Sequence, residues 1–154
     1  MTFKKPALAP SGLIPEIIGT DLDHTILNRA KEGVYTQFEA QRGLSVQLLM
    51  QHFTQLEAYG DRWQLNDDIR DMVTFKHANL IEPFHEMGQF DIIFCRNVLI
   101  YFEQETKQDI VRRLARCLTP HGLLFLGSTE SLSHIEAPLV PFKKLNAVYA
   151  LNNS

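Results

Sequence analysis

The 154-residue chain reads as an α/β protein built on an open, largely parallel sheet. Two apolar runs, Phe90–Cys95 and Leu123–Gly127, are of the continuous kind expected for strands covered on both faces. Between them, Gln104–Leu118 carries apolar residues at helical spacing, which gives the strand–helix–strand order of such a sheet.

The elements follow in order. Met1–Gly12 holds two prolines and a glycine, so residues 1–15 read as an irregular arm. Glu16–Asp21 is a short apolar run ending in small and acidic residues and reads as a buried strand. Thr25–Ala30 is expected to be helical, with Asp23 as its cap. Ser45–Phe53 has helical spacing, with Ser45 as the cap, Leu48, Leu49 and Phe53 on one side, and Tyr59-Gly60 as the end. Arg62–Asp71 holds one or two edge strands, and Met72–Asn79 alternates at period two, the strand signature. The helix over Gln104–Leu118 turns Thr106, Ile110, Leu114 and Leu118 to one face and stops at Thr119-Pro120-His121-Gly122. Arg112, Arg113 and Arg116 read as its solvated face. Phe142–Leu145 and Ala147–Leu151, joined at Asn146, form a terminal antiparallel pair.

Composition narrows the function classes. Lys and Arg total 15 against 18 acids, a net charge of -3, which disfavours a nucleic-acid binder relying on clustered cations. No run approaches the roughly 20 apolar residues of a membrane-spanning helix, so no membrane insertion is expected. The first residues lack the pattern of a signal peptide, and two cysteines, Cys95 and Cys117, suit a reducing compartment. A soluble, cytoplasmic protein is the expectation.

In open α/β sheets ligands bind at the carboxyl ends of the strands, which selects Asp21, Asn79-Leu80, Arg96-Asn97 and Ser128-Thr129-Glu130. Asp21 either accepts hydrogen bonds from a ribose diol or caps the next helix, and Asp23 competes for both tasks. Arg96 and Asn97 interrupt an apolar stretch, so they line a cleft unless Arg96 is a structural ion-pair partner. Tyr101 either presents its hydroxyl to that cleft or is a core aromatic. The six histidines show no metal-ligand spacing, so no metal site is expected. Cys95 reads as a packed thiol, and no Gly-x-Ser-x-Gly elbow supports a hydrolase.

Phe94-Cys-Arg-Asn-Val-Leu-Ile-Tyr-Phe102, then Arg113–Gly127 and Ser128-Thr-Glu-Ser-Leu132, resemble the catalytic domain of CheR-type chemotaxis methyltransferases. Gly19–Asp23, Ala30–Tyr35, Arg42–Leu44 and Asn79-Leu80 fall in the family's order, so the likeness runs from about Glu16 onward. The resemblance implies a Rossmann-like class I S-adenosylmethionine-dependent methyltransferase fold and methyl transfer to glutamate side chains of chemoreceptors. S-adenosylhomocysteine would be the product, and the receptor's cytoplasmic domain the partner. Residue by residue, it implies Asp21 at the cofactor's ribose, Asn79 and Leu80 flanking the adenine, and Arg96 and Asn97 beside the methionine part. Tyr101 would sit near the sulfonium methyl, and Arg96 and Tyr101 would serve the transfer step. Residues 16–154 would be a partial catalytic domain, with a small inserted β-subdomain at about 54–71.

The family's first strand and small-residue cofactor loop find no match in Met1–Pro15, so the fold is expected to be incomplete. The strands ending at Asp21 and Cys95 would then face an empty slot. One of three repairs is expected: direct closure, a strand from a partner fragment, or strand exchange in a homodimer. The chain alone is expected to be inactive. The alternative is a non-catalytic truncated module that binds a receptor, a partner chain or, weakly, a nucleoside. A nicotinamide-dependent oxidoreductase would need Gly-x-Gly-x-x-Gly ahead of the strand-end acid, and that pattern is absent.

Overall fold

The computed structural model describes residues 15–57, 60–143 and 145–152. The irregular arm before Pro15 and the helix end expected at Tyr59 lie outside the described residues. The chain divides after Ala78 into two compact units.

In the first unit, β1 (Ile17–Asp21) and β5 (Val73–His77) form a parallel pair, in register from Ile17 opposite Val73 to Asp21 opposite His77. Gly19 makes room for this pairing, since a Cβ there would lie 2.8 Å from the Phe75 ring. Helix α1 (His24–Glu32) starts as expected at Asp23, whose carboxylate accepts the Thr25 N–H at 2.6 Å. It ends at Gly33, which takes the left-handed conformation (φ 65°) common after a last helical turn.

β2 (Val34–Thr36), α2 (Gln37–Gln41), α3 (Val46–His52), β3 (Phe53–Gln55), β4 (Arg62–Leu65) and the short α4 (Asp67–Arg70) follow. The strands form an antiparallel sheet in the order β2–β4–β3 over Ala40, Leu49 and Trp63. Two expectations change here. Ser45 does cap α3, but Phe53 begins a strand instead of completing the helix. Its ring gains an edge-to-face contact with Tyr35 (6.0 Å) and packs against the small core, which outweighs its helical spacing. β4 is central, not an edge, because both neighbours bond to it, and the following residues turn into α4.

Thr36 and Glu39 form a capping box at the start of α2. The Thr36 N–H, the Arg29 guanidinium and the Thr36 hydroxyl together hold the Glu39 carboxyl down at about 2.

In the second unit, β6 (Phe90–Cys95), α5 (Gln104–Arg116), β7 (Leu118–Leu126), β8 (Leu139–Pro141) and β9 (Val148–Leu151) give a sheet ordered β6–β7–β9–β8. β6 and β7 are parallel, and the other pairs are antiparallel. Ile110, Val111 and Leu114 of α5 form one core with Cys95, Leu124, Leu126 and Tyr149. The helix ends two residues early because Leu118 pairs with Phe90. Thr119–Gly122 therefore runs inside β7 as an irregularity in the ladder. Gly122 fits there because a Cβ would meet the Phe90 carbonyl at 2.8 Å.

Three further expectations need correction. β6 is buried on one face only: Ile93 and Cys95 face the core, while Ile92 and Phe94 are 52% and 69% exposed. The first strand of the terminal pair is Leu139–Pro141, with Lys143 and Ala147 taking left-handed turns on the way to β9. Arg113 does not lie on a solvated face. It donates to the Glu82 carbonyl, pairs with Asp109 at 2.8 Å and sits over the Phe84 ring. Among the described residues β1 has β5, and β6 has β7, as its one strand partner.

Two predictions follow from packing and charge. Ile110, fully buried, should cost about 2–5 kcal/mol when cut to alanine, and exposed Ile92 within about 0.5 kcal/mol, in urea melts. Glu39 is held below its ordinary 4.5, so its contribution is present above that pH and is lost as pH falls toward about 2. Amide spectra should show α2 loosening over that range, and Glu39→Gln should remove the dependence.

Candidate functional site

The first unit contributes the end of β1. Asp21 is half-buried, and its Oδ1 accepts the Asp23 N–H at 2.9 Å while its carbonyl accepts that of Ala78 at 3.0 Å. Asp23, by contrast, is exposed and committed to capping α1. The cap of α1 is therefore Asp23 and not Asp21. At the end of β5 the ring of His77 stacks on that of His24, centroids 4.4 Å apart and planes at 10°. No sequence signal pairs these two histidines, because the contact depends on the strand register.

The second unit contributes two segments. Asn79 builds a turn, its Oδ1 accepting the Ile81 N–H at 3.2 Å and its amide donating to Glu82 at 3.4 Å. Leu80 is half-buried against the main core. Beyond β6, Arg96 and Asn97 are both exposed, and Asn97 takes a left-handed conformation, φ 58°. Arg96 makes no ion pair among the described residues. A short 3-10 turn, Leu99–Tyr101, buries Leu99 and leaves Tyr101 80% exposed, so Tyr101 is not a core aromatic.

One residue organises the second segment. Glu130, only 7% exposed, accepts four backbone N–H groups: Gly127 at 2.7 Å, Asn97 at 2.8 Å, Val98 at 3.0 Å and Ile100 at 3.3 Å. Burial works to raise its pKa, but N–H groups of Gly127, Asn97, Leu99 and Ile100 outweigh burial and hold it below its ordinary value. Sequence reasoning marked Ser128-Thr129-Glu130 as a strand end without finding this role. The signal was an acid three residues beyond a glycine that closes a strand. Cys95 lies beside this charge, and burial together with Glu130 pushes its thiol up to about 12, so it is a packed thiol.

The structure thus places Asn79, Leu80, Arg96, Asn97 and Tyr101 in one unit and Asp21 in the other. Comparison with known proteins decides what family this arrangement serves. The family model described as "CheR methyltransferase, SAM binding domain" matches residues 1–147. The chain belongs to the CheR methyltransferase family. The match starts ahead of Glu16, where the sequence likeness was read to begin.

Among CheR relatives, the chain is 40% identical over 134 residues to chemotaxis protein methyltransferase 1 of Pseudomonas aeruginosa, covering 86% of this chain and 48% of that protein. It is 36% identical over 123 residues to the chemotaxis protein methyltransferase of Escherichia coli, covering 79% and 43%. The chain spans about half the length of the curated relatives it matches. Among solved structures it is similar to PKMT2 from Rickettsia typhi in complex with AdoHcy, at 20% identity and TM-score 0.44 over 71% of this chain and 15% of that one. The matched model is that of the family's SAM-binding domain, which gives S-adenosylmethionine as the family's cofactor. No helix among the described residues is long and apolar enough to cross a membrane.

Gly127 supplies a direct test of the site's construction. A Cβ there would lie 2.3 Å from Asn97 Oδ1 and 2.7 Å from Glu130 Oε2. Gly127→Ala should destabilise the protein by about 1–3 kcal/mol in denaturant melts, the scale of a forced overlap in a packed site. Unchanged stability would mean that the strand-end turn tolerates displacement.

Proposed function

We propose that this chain forms the adenosyl-binding part of a methyltransferase that moves a methyl group from S-adenosylmethionine to glutamate side chains of chemoreceptors in the cytoplasm. The family match across residues 1–147 carries the reading. The chemistry of the strand-end residues supports it. Asp21 is a half-buried carboxylate at a strand end, the group suited to a ribose diol, and its turn bond uses Oδ1. Leu80, half-buried against the core, suits the face of an adenine. Arg96 and Asn97, exposed beyond β6, are available to a polar amino-acid moiety.

When bound, the cofactor supplies a methyl group on a sulfonium, which is a good leaving group. The chain's task is then to bind and orient. The receiving carboxylate is ionised at neutral pH, so no protein group has to remove a proton. Tyr101, on the turn after Arg96-Asn97, would offer its hydroxyl to the reacting methyl, and Arg96 would steady the charged groups around it. Alignment and exclusion of water supply the rate.

Residues 16–154 form the partial catalytic domain of this reading, and the region 54–71, with β3 and β4, its inserted subdomain. In this chain Tyr101 is 80% exposed, which favours inactivity until more protein covers the transfer step. The edges of β1 and β6 that no strand pairs among the described residues suit an added strand, from a partner fragment or from a second copy.

Calorimetric titration with S-adenosylhomocysteine tests the reading. The chain should bind it, and Asp21→Ala should weaken binding by about 1–3 kcal/mol. In a chimera carrying the preceding half of the Pseudomonas aeruginosa relative, Tyr101→Phe should lower turnover more than cofactor affinity. A chain that binds no S-adenosylhomocysteine overturns the adenosyl reading and leaves the non-catalytic module.

A further inference from the structure

We propose that Glu130 is a positioning residue for the cofactor loop, its carboxylate holding Arg96-Asn97 in the turn that presents both side chains beyond β6. The part of this inference that concerns the cofactor rests on the function proposed above. The hold on the loop stands by itself.

Three observations meet at this residue. Asn97 occupies the left-handed conformation, φ 58°, which asparagine tolerates better than other side chains but which the loop still has to select. Side-chain packing does not enforce it, because Arg96 and Asn97 are both exposed. The hydrogen bonds do: Oε2 accepts Asn97 and Gly127, and Oε1 accepts Val98 and Ile100.

Glu130 is also the buried charged residue of the described core, and it makes no ion pair among the described residues. Its charge is balanced by backbone dipoles. Successive N–H groups converging on one point make a cradle for an anion, and here the chain fills that cradle with its own carboxylate. The loop therefore has this shape only while residue 130 is an anion of the right length.

Gly127 completes the device. Any side chain there would strike Asn97 Oδ1 and Glu130 Oε2, so the glycine lets the strand end approach the loop closely enough to share one carboxylate. A residue that merely filled space would need neither the charge nor the glycine. Residues 127 and 130 thus act as a matched pair that fixes where residues 96 and 97 stand.

The test uses the 154-residue chain, isotope-labelled, with the isosteric variant Glu130→Gln. Amide exchange at Asn97, Val98, Ile100 and Gly127 should accelerate at least about tenfold, while Ile110 and Val111 in α5 keep their protection. The Kd for S-adenosylhomocysteine should rise about tenfold in the same variant. In the unmutated chain the four amide shifts should move together on acidification, with one midpoint below 4.5. Unchanged exchange at the four amides, or four shifts that titrate independently, overturns the hold on the loop. An unchanged Kd in a variant whose four amides have opened overturns the positioning role. If the unmutated chain binds no S-adenosylhomocysteine, the adenosyl reading falls, and exchange alone decides for or against the hold on the loop.

Discussion

The convergence of four backbone N–H groups on the Glu130 carboxylate is the constraint on which the functional end of the second unit depends. A buried carboxylate loses several kcal/mol of hydration, so it persists only where charge-assisted bonds replace the water. Here those bonds come from two segments that are remote in sequence, the turn after β6 and the end of β7. The carboxylate therefore joins the two chain segments just beyond the last ladder pair, Cys95 opposite Leu126. It also explains why Cys95, one residue before the turn, remains a thiol: a second negative charge beside Glu130 would be repelled as well as desolvated.

Below that polar end, apolar burial holds the unit together. Ile110, Val111, Leu118 and Leu124 are almost wholly buried and tie α5 to the sheet. The same sheet has a second character on its other face, where Ile92 and Phe94 meet solvent and Phe125 gives Phe94 partial cover at 5.0 Å. Arg113 extends the packed face sideways. Its guanidinium bonds the Glu82 carbonyl and lies over Phe84, so the segment after Asn79 is fastened to the helix. The first unit has a smaller core, centred on Trp63, and relies more on local devices such as the Thr36–Glu39 box.

What the sequence made legible was local. Asp23 and Ser45 cap their helices because a cap is defined by bonds two or three residues away. The strands Phe90–Cys95 and Val73–His77 follow from runs of apolar or alternating residues. Helical spacing failed at Phe53 because the partner that decides its conformation, Tyr35, is elsewhere in the chain. It failed at Leu118 because Phe90 claims that residue for the ladder. Continuous apolar composition overstated the burial of β6, since it shows that a strand can be covered and not that it is. Arg113 and Glu130 escaped for one reason: their partners lie about thirty positions away, and no local pattern encodes that distance. The family likeness, carried by the string Phe94–Phe102, was legible because it is a matter of identity and needs no geometry.

The parallel pairing of β1 with β5 has a consequence for the order of assembly. All of residues 22–72 intervene between the two strands, including the antiparallel sheet β2–β4–β3. A parallel ladder closed across that stretch of loose chain would be slow to form, because the entropy of closure is lost before any pairing is gained. The antiparallel sheet needs only shorter loops, so it is the natural first event. Once formed, it shortens the effective loop between Asp21 and Val73 and brings the ends of the two strands into reach. The segment between the strands is thus a folding aid as well as an ornament of the domain, and unfolding it at unchanged chain length would slow the assembly of the strand end that carries Asp21.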